Sequence, residues 1–391
     1  MHKRFVIFVL ALATGFSIAP ANAFLGPASI PEAFNQLLKV HALSNPAMIL
    51  IDETTGEIVY ARNASSQRKP ASVTKILSAT ATLEYLDPQS SFETNAYLSA
   101  DSKVLIIQGS LDPWMSTNNV VAKKMHRTSL PVLASKSMSA LKAANHGSLR
   151  NIKVEYSQLY TQDLVNLKAY WAARGFKPTI KAVSSKALTA AEAEPVFSSK
   201  SPTIAEILDF TLLWSDNLLA ERLARLASSA AGHPANDQGI ALTFNELLNH
   251  FNINTSKLII ADGSGLSKKN RVTAQIIGQL LVKVRSDEKL SLLYASLPVS
   301  GVSGTLKDRF ITTAPNAVGL VHAKTGTLSG DVTLAGYVES RDREYVFVTL
   351  ADEIAHGTVA EDKARAAIDR MLGRIAAPNI NAQISSGSTT P

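Results

Sequence analysis

Ser72-Val73-Thr74-Lys75 is the first of three short polar motifs whose residue types could carry out chemistry. A serine hydroxyl is a poor nucleophile until a neighbouring base takes its proton. On a helix, a lysine three residues further lies on the same face, and burial or another cation can lower its pKa enough for that role. The same spacing recurs at Ser66–Lys69, Ser139–Lys142 and Ser286–Lys289, so the motif alone does not identify a nucleophile.

Ser215-Asp216-Asn217 is the second motif, and it lies inside a leucine-rich helical region. Such a segment can present a hydroxyl and an amide to a cleft, the first to transfer protons and the second to hold a substrate amide. The alternative is a helix break at which Asp216 acts as a cap, because aspartate is unusual in a helix interior. An S-x-N pattern also occurs at Ser116–Asn118.

Lys324-Thr325-Gly326-Thr327 is the third motif, and its K-[ST]-G pattern occurs once in the chain. It lies at the end of one predicted strand with another strand beyond it. Gly326 would let a ligand backbone approach the strand closely. The lysine charge and the threonine hydroxyls suit a carboxylate. The alternative is an ordinary strand end.

Alternating strand patterns and helical patterns surround the three motifs and predict a mixed α/β (α+β) fold. A β-hairpin precedes the first motif, helices surround the second, and a β-meander followed by a helix carries the third. The predicted strands of this part are 47–51, 57–61, 319–325, 332–339 and 345–350, and the predicted helices are 31–43, 70–86, 203–231, 243–251, 273–284 and 358–374.

The character of the sequence changes between residues 92 and 188. A strand at 104–107, a helix at 162–175 and a strand at 179–183 predict a small α+β inserted domain there. The main domain is therefore expected to be discontinuous, with residues 24–91 and 189–378. The polar tail at 379–391 is expected to be disordered.

Residues 1–23 have the pattern of a secretory signal peptide. A positive start at Lys3-Arg4 precedes an apolar run, and Ala21-Asn22-Ala23 fits a cleavage site. A retained membrane anchor is the alternative, but the apolar run is shorter than the ~20 residues that a spanning helix needs. We therefore expect export to the periplasm, the cell wall or the medium, with at most loose membrane association.

Composition excludes several kinds of site. The 391 residues include no cysteine, which excludes thiol nucleophiles, cysteine metal sites and disulfides. The eight histidines form no H-E-x-x-H pair, and no phosphate-binding glycine loop is present. The net charge of +7 comes without a basic block interleaved with aromatic residues, so nucleic acid is not an expected partner.

The order and spacing of the three motifs resemble the penicillin-recognising serine enzymes. Longer stretches resemble the D-alanyl-D-alanine carboxypeptidase/endopeptidase family, in the branch that carries extra domain material between the first two motifs. These stretches are Pro70–Lys75, Ser215–Glu221, Asp262–Ser267, Leu297–Leu306 and Lys324–Leu328, and Gly109–Pro113 resembles a landmark of the family's insertion. The resemblance implies a β-lactamase/transpeptidase-like fold, in which an antiparallel sheet is flanked by helices and joined to a helical lobe.

The same resemblance implies a role for each motif residue. Ser72 would be the acylated nucleophile and Lys75 its general base, while Ser215 and Lys324 would pass a proton to the leaving D-alanine. We expect Lys75 to be neutral and Lys324 charged. Asn217 would bind the acyl-side amide, and Thr325, Gly326 and Thr327 would form the carboxylate site. No metal or other cofactor is implied.

The implied activity is a penicillin-sensitive serine D-alanyl-D-alanine carboxypeptidase, with endopeptidase activity as an extension. Its substrate would be a peptidoglycan stem peptide ending in D-Ala-D-Ala, and β-lactams would be covalent inhibitors. Two alternatives stay open. One is a serine β-lactamase, and the other is a catalytically inactive envelope-binding protein.

Overall fold

The first of two sheets carries the third motif at its edge. The computed structural model describes residues 25–39, 42–184 and 193–378. The first sheet is antiparallel, with strand order β2-β1-β10-β9-β8. Its strands are β1 (Ala47–Asp52), β2 (Ile58–Arg62), β8 (Val321–Leu328), β9 (Asp331–Ser340) and β10 (Arg343–Ala351). The predicted hairpin and meander are thus neighbours in one sheet, because β1 pairs with β10.

Helices cover both faces of this sheet, because its central strands are apolar on both sides. All six residues of β1 are buried, and so is nearly all of β9. One face packs on α2 (Lys75–Tyr85), α7 (Asn217–Ala230), α8 (Asp237–His250) and α9 (Ala274–Ser286), with α6 (Ile204–Trp214) and α10 (Ser291–Ala295) beside them. The other face packs on α1 (Ile30–Leu38) and α11 (Thr358–Gly373). The predicted sheet flanked by helices, with a helical lobe, is confirmed.

A second five-stranded sheet has the order β6-β5-β4-β3-β7. Its strands are β3 (Ser91–Leu98), β4 (Val104–Gln108), β5 (Lys153–Ser157), β6 (Thr179–Ala182) and β7 (Glu194–Thr203). β4, β5 and β6 are parallel, and α4 (Leu130–Ala144) and α5 (Thr161–Ala172) are the crossovers between them. The short helix α3 (Asn119–Lys124) precedes α4.

The strand β7 lies outside the predicted insertion at 92–188, yet it pairs with β3 along most of its length. We therefore propose that the inserted unit extends from 91 to 203. Thr203 at its end caps α6 through a reciprocal hydrogen-bond pair with Glu206. The capping pair joins the second sheet directly to the helical lobe.

The elements differ from the predictions in three ways. The helical region predicted at 203–231 contains two helices, and the break between them at Ser215 and Asp216 matches the helix break that the sequence left as an alternative. The first motif does not lie in an α-helix, because Ala71–Thr74 forms a 3₁₀ turn before α2. The helices α3, α4 and α10 and the strands β3, β5 and β7 were not predicted. The predicted signal peptide at 1–23 and the predicted tail at 379–391 both lie outside the described residues. Among the described helices, none is long and apolar enough to cross a membrane.

Candidate active site

Ser72 lies in the 3₁₀ turn at the start of α2, where its hydroxyl meets the side chain of Lys75. Lys75 Nζ is 3.0 Å from Ser72 Oγ. Pro70 precedes the turn, and Ala71 adopts a left-handed φ of 48°. Gly265 packs against this turn so closely that a Cβ there would lie 2.0 Å from the Ala71 carbonyl oxygen. The nucleophile candidate is therefore held by backbone packing and not by an extended helix.

Lys75 is buried, with 1% of its surface exposed, and its ammonium group reaches two further oxygens. Nζ lies 2.7 Å from Asn217 Oδ1 and 2.6 Å from the carbonyl oxygen of Ser264. Neither oxygen can donate a hydrogen bond. A neutral amine has two N–H groups and one lone pair. If both N–H groups point at these acceptors, the lone pair faces the Ser72 hydroxyl.

Burial lowers the pKa of Lys75 to about 8, while the carboxylates of Asp262, Asp216 and Glu221 act in the opposite direction. Two of these carboxylates also organise the surrounding loops. Asp262 accepts hydrogen bonds from the backbone of Gly265 and Ser267, and Glu221 accepts one from Gly263. Asp262 and Glu221 thus hold the segment that contains Ser264 and also raise the pKa of Lys75.

The second motif occupies the break between α6 and α7. Ser215 has a left-handed φ of 59°, and Asp216 caps α7 by accepting a hydrogen bond from Leu219 N at 2.9 Å. The capping alternative raised from the sequence therefore holds for Asp216. The break also places Ser215 and Asn217 in the cleft, so capping and presentation occur together.

Lys324, in the third motif, contacts Ser215. Its Nζ lies 2.8 Å from Ser215 Oγ and 2.9 Å from the carbonyl oxygen of Thr325. Lys324 is fully buried, and burial together with the charge of Lys75 lowers its pKa well below the usual range. This differs from the expectation of a neutral Lys75 beside a charged Lys324. Nearby carboxylates stabilise the charged form of Lys75, whereas burial and the charge of Lys75 both destabilise the charged form of Lys324.

The outer edge of β8 is bridged to Val299 at His322, and beyond that bridge it faces the cleft. This strand is the last of its sheet, and Ala323 N on its outer side donates to Pro298 O. Backbone N–H groups two and four residues further point to the same side of a strand, so those of Thr325 and Thr327 face the cleft. Gly326 lies against the Ser72 turn, since a Cβ there would be 3.0 Å from both Pro70 O and Ser72 N.

The eight residues predicted for the site are all found around this one cleft. The cleft has a volume of about 330 Å³. Its lining contains six predicted residues, which are Ser72, Ser215, Asn217, Thr325, Gly326 and Thr327, and four further residues, which are Thr305, Arg309, Val332 and Arg365. Lys75 and Lys324 lie directly beneath this lining. In the described part of the chain, no group of three or more histidine or carboxylate side chains could hold a metal ion.

Four lining residues were not predicted from the sequence: the apolar Val332 and the polar Thr305, Arg309 and Arg365. Thr305 Oγ1 lies 2.8 Å from Thr325 Oγ1, and Arg365 Nη2 lies 3.4 Å from Thr327 Oγ1. Arg309 is paired with the buried Asp369 of α11. Thr305 belongs to a stretch already noted for its resemblance, but no sequence signal marked the arginines. They reach the cleft only through the packing of α11.

The chain belongs to the D-Ala-D-Ala carboxypeptidase 3 (S13) family, whose model matches residues 32–136 and 139–375. It is 38% identical over 162 residues to the D-alanyl-D-alanine carboxypeptidase of Actinomadura sp. (strain R39), which is 40% of this chain and 30% of that protein. It is 31% identical over 168 residues to D-alanyl-D-alanine carboxypeptidase DacB of Haemophilus influenzae, or 42% of this chain and 35% of that one. These alignments span about a third of each relative.

Solved structures extend the similarity over most of the chain. Penicillin binding protein 4 (dacB) from Haemophilus influenzae superposes with a TM-score of 0.67 at 18% identity, covering 87% of this chain and 97% of that one. A predatory peptidoglycan endopeptidase from Bdellovibrio bacteriovorus gives a TM-score of 0.59 at 15% identity, covering 86% and 94%. The expected transpeptidase-like fold is confirmed by this likeness.

Proposed function

We propose that the protein is a serine D-alanyl-D-alanine carboxypeptidase that trims peptidoglycan stem peptides through an acyl-enzyme on Ser72. The observation that carries the proposal is the 3.0 Å contact between Lys75 Nζ and Ser72 Oγ, with Asn217 and Ser264 supplying acceptors on the other side of the amine. This arrangement supports proton removal from Ser72 by Lys75.

In the acylation step, Ser72 Oγ attacks the carbonyl carbon of the penultimate D-alanine while its proton passes to Lys75. The peptide C–N bond then breaks, and the leaving nitrogen of the terminal D-alanine takes a proton through Ser215, which contacts Lys324. Water hydrolyses the resulting ester, and Ser72 recovers its proton. The overall reaction consumes one water and releases D-alanine, with no redox change.

Substrate binding would use the open edge of β8. A peptide lying along this edge can form backbone hydrogen bonds as an added strand, and the Asn217 side chain can hold its acyl-side amide. The backbone N–H groups of Ser72 and Thr327 would receive the oxyanion, a contribution of about 3 kcal/mol for each donor. Because Gly326 has no side chain, it does not obstruct the space between β8 and Ser72.

The terminal carboxylate of the substrate would bind between Thr325, Thr327 and the nearby guanidinium groups. Its negative charge would raise the pKa of Lys324 by stabilising the charged form. A charged Lys324 would in turn lower the pKa of Lys75. We therefore infer that the unliganded charge distribution changes on binding, so that the proton resides on Lys324 and Lys75 becomes the free base.

With this activity, β-lactams would be covalent inhibitors, because their carboxylate and strained amide would occupy the same positions as D-Ala-D-Ala. An envelope location, outside the cytoplasm, follows from a peptidoglycan substrate and agrees with the pattern of residues 1–23. Cleavage of cross-linked peptides uses the same acyl transfer and differs only in the leaving amine.

The direct test is release of D-alanine from a peptide ending in D-Ala-D-Ala. We expect release by the wild-type protein and none by Ser72→Ala, while Ser66→Ala keeps wild-type activity. Rapid turnover of a chromogenic β-lactam, with no D-alanine release, would mean that the protein is a β-lactamase and not a carboxypeptidase. Absence of both activities would favour an envelope-binding protein.

A further inference from the structure

The positive charge of the chain is concentrated in the unit built on the second sheet. Residues 91–184 contain 12 Lys and Arg against five Asp and Glu, a net charge of +7 that equals the formal net charge of the whole chain. The remaining residues therefore sum to zero. Two of the five carboxylates, Asp112 and Asp163, are buried. The net charge at the surface of this unit is therefore more positive than its composition alone indicates.

The topology of the sheet brings many of these cations to one end. β4, β5 and β6 are parallel, and the register pairs Val104 with Lys153 and Lys153 with Thr179. The starts of the three strands are therefore side by side. Because α4 and α5 are crossovers between parallel strands, their last turns return to the same end.

We call this the distal end and define it by six exposed cations: Lys103, Lys142, Arg150, Lys153, Arg174 and Lys177. Contacts tie its loops together. Asn145, just after α4, accepts from Lys103 Nζ at 2.5 Å and donates to Ser102 O at 2.9 Å. Asp101 is the carboxylate of this region, and it is held by Ser99 Oγ and by the backbone N–H of Lys103.

The opposite end of the same sheet faces the catalytic helices. Arg222 of α7 donates to Pro113 O at 2.9 Å and lies 3.3 Å from Asp163 Oδ2 near the start of α5. A surface bound at the distal end would therefore be separated from the cleft by the length of the sheet. The cleft would stay accessible while the distal end is occupied.

We propose that the distal end is an electrostatic docking surface for an anionic phospholipid bilayer. The six cations lie at strand starts, at helix ends and in the loops between them, so they spread over an area and do not follow one groove. Lys103 and Lys153 are at the starts of β4 and β5, Lys142 and Arg174 are at the ends of α4 and α5, and Arg150 and Lys177 are in the connecting loops. This distribution suits a plane of negative headgroups better than a linear chain. Each lysine or arginine close to such a membrane increases affinity by about fivefold. This role goes beyond the proposed peptidase activity.

Sedimentation with vesicles tests the proposal on the purified full-length protein. We expect binding to vesicles of equal parts phosphatidylglycerol and phosphatidylcholine, little binding to phosphatidylcholine alone, and loss of binding as NaCl rises from about 0.05 M to about 0.5 M. The triple variant Lys142→Glu, Arg150→Glu, Lys177→Glu should lose roughly a hundredfold or more in affinity. Ser72→Ala should bind like the wild type, which separates this result from the proposed activity.

The matched control changes the same number of charges elsewhere, at exposed residues of other elements: Lys39→Glu, Lys283→Glu, Lys363→Glu. We expect less than a threefold loss from this control, and acylation by benzylpenicillin should show that both triples are folded. If the distal variant does not fold, the glutamine versions replace it. Equal losses in the two triples, equal binding to both vesicle types, or binding to soluble polyphosphate without binding to vesicles would overturn the proposal.

Discussion

Lys75 and Lys324 are both buried lysines, but their surroundings differ. Asp262, Asp216 and Glu221 favour the charged form of Lys75, whose pKa is nevertheless lowered to about 8 by burial. The pKa of Lys324 is lowered by burial and by the charge of Lys75. A substrate carboxylate beside Thr325 and Thr327 would supply the missing negative charge near Lys324. We therefore expect that when substrate binds, Lys324 becomes the charged lysine and Lys75 becomes the neutral one.

Arginine substitutions separate the two proposed roles, that of Lys75 as the base and that of Lys324 as the partner of the substrate carboxylate. Arginine cannot give up its proton at working pH, so Lys75→Arg should lower D-alanine release by about a thousandfold. Lys324→Arg retains a cation for the substrate carboxylate and should keep measurable activity, within about a hundredfold of the wild type. The measurement is kcat/KM for D-alanine release. Activity in Lys75→Arg together with none in Lys324→Arg would mean that the two roles are reversed.

The pH dependence of acylation follows from the lowered pKa of Lys75. A base acts in its neutral form, so the rate of acylation by benzylpenicillin should rise with pH with a midpoint near the Lys75 pKa of about 8. Asp216→Asn removes a carboxylate that raises this pKa and keeps an N-cap, because asparagine caps as well as aspartate. We expect the midpoint to move to lower pH in Asp216→Asn and to stay unchanged in the exposed control Asp209→Asn. A midpoint that does not move would exclude Lys75 as the titrating base.

Packing between β8 and the turn of Ser72 is the critical contact at the level of elements. Gly326 is where the two approach, and the Thr333 side chain of β9 donates to Pro70 O at 2.9 Å behind it. A Cβ at Gly326 would lie 2.2 Å from Thr333 Oγ1. The distance between Ser72 and the edge of β8 therefore depends on the absence of a side chain at residue 326.

Gly326→Ala should disrupt the cleft without removing any catalytic group. We expect the acylation rate to fall by at least about a hundredfold and the free energy of unfolding to fall by about 1–3 kcal/mol, as for other overpacked sites. Gly26→Ala is a control, because a Cβ there meets nothing within 4 Å. Stopped-flow acylation and urea unfolding measure the two effects. Wild-type acylation in Gly326→Ala would contradict the close approach of β8 and Ser72.

The sequence predicted the first sheet well because its strands alternate or are uniformly apolar and have clear turns between them. It left the break at Ser215 as an alternative only, through capping by Asp216, since leucines continue at helical spacing across 203–231 and nothing local requires a left-handed residue there. Arg309 and Arg365 were missed for a different reason. Their approach to the cleft depends on α11 packing against the sheet, which is a long-range contact that no local pattern encodes.

The two sheet units are joined by a buried ionic contact. Arg222 of α7 lies between Pro113 O, Asp163 and the ring of Tyr160, which is 3.9 Å from the guanidinium carbon. Burial raises the pKa of Asp163 to about 6 even though Arg222 opposes the shift. Five residues before Arg222, the same helix begins with Asn217. The second unit therefore supports the helix that presents the second motif.

Arg222→Met should leave the buried Asp163 without its paired cation and lower the free energy of unfolding by about 3–5 kcal/mol at neutral pH. The control is Lys289→Met, which removes a half-exposed pair with Glu84 and should cost about 0–1 kcal/mol. Urea unfolding at pH 7 gives both values. An Arg222→Met protein as stable as the Lys289→Met control would show that the junction does not stabilise the molecule.

Within the described residues, the fold brings Ser72 into a cleft with Lys75, the edge of β8 and the hydroxyl groups of Thr325 and Thr327. Three other S-x-x-K sequences are present in the chain. Mass spectrometry of the protein after benzylpenicillin treatment tests this most directly. We predict one added mass equivalent on a peptide containing Ser72, none in Ser72→Ala, and full labelling in Ser66→Ala and Ser139→Ala. An adduct that persists in Ser72→Ala, or no adduct on the wild-type protein, would contradict the assignment of Ser72 as the nucleophile.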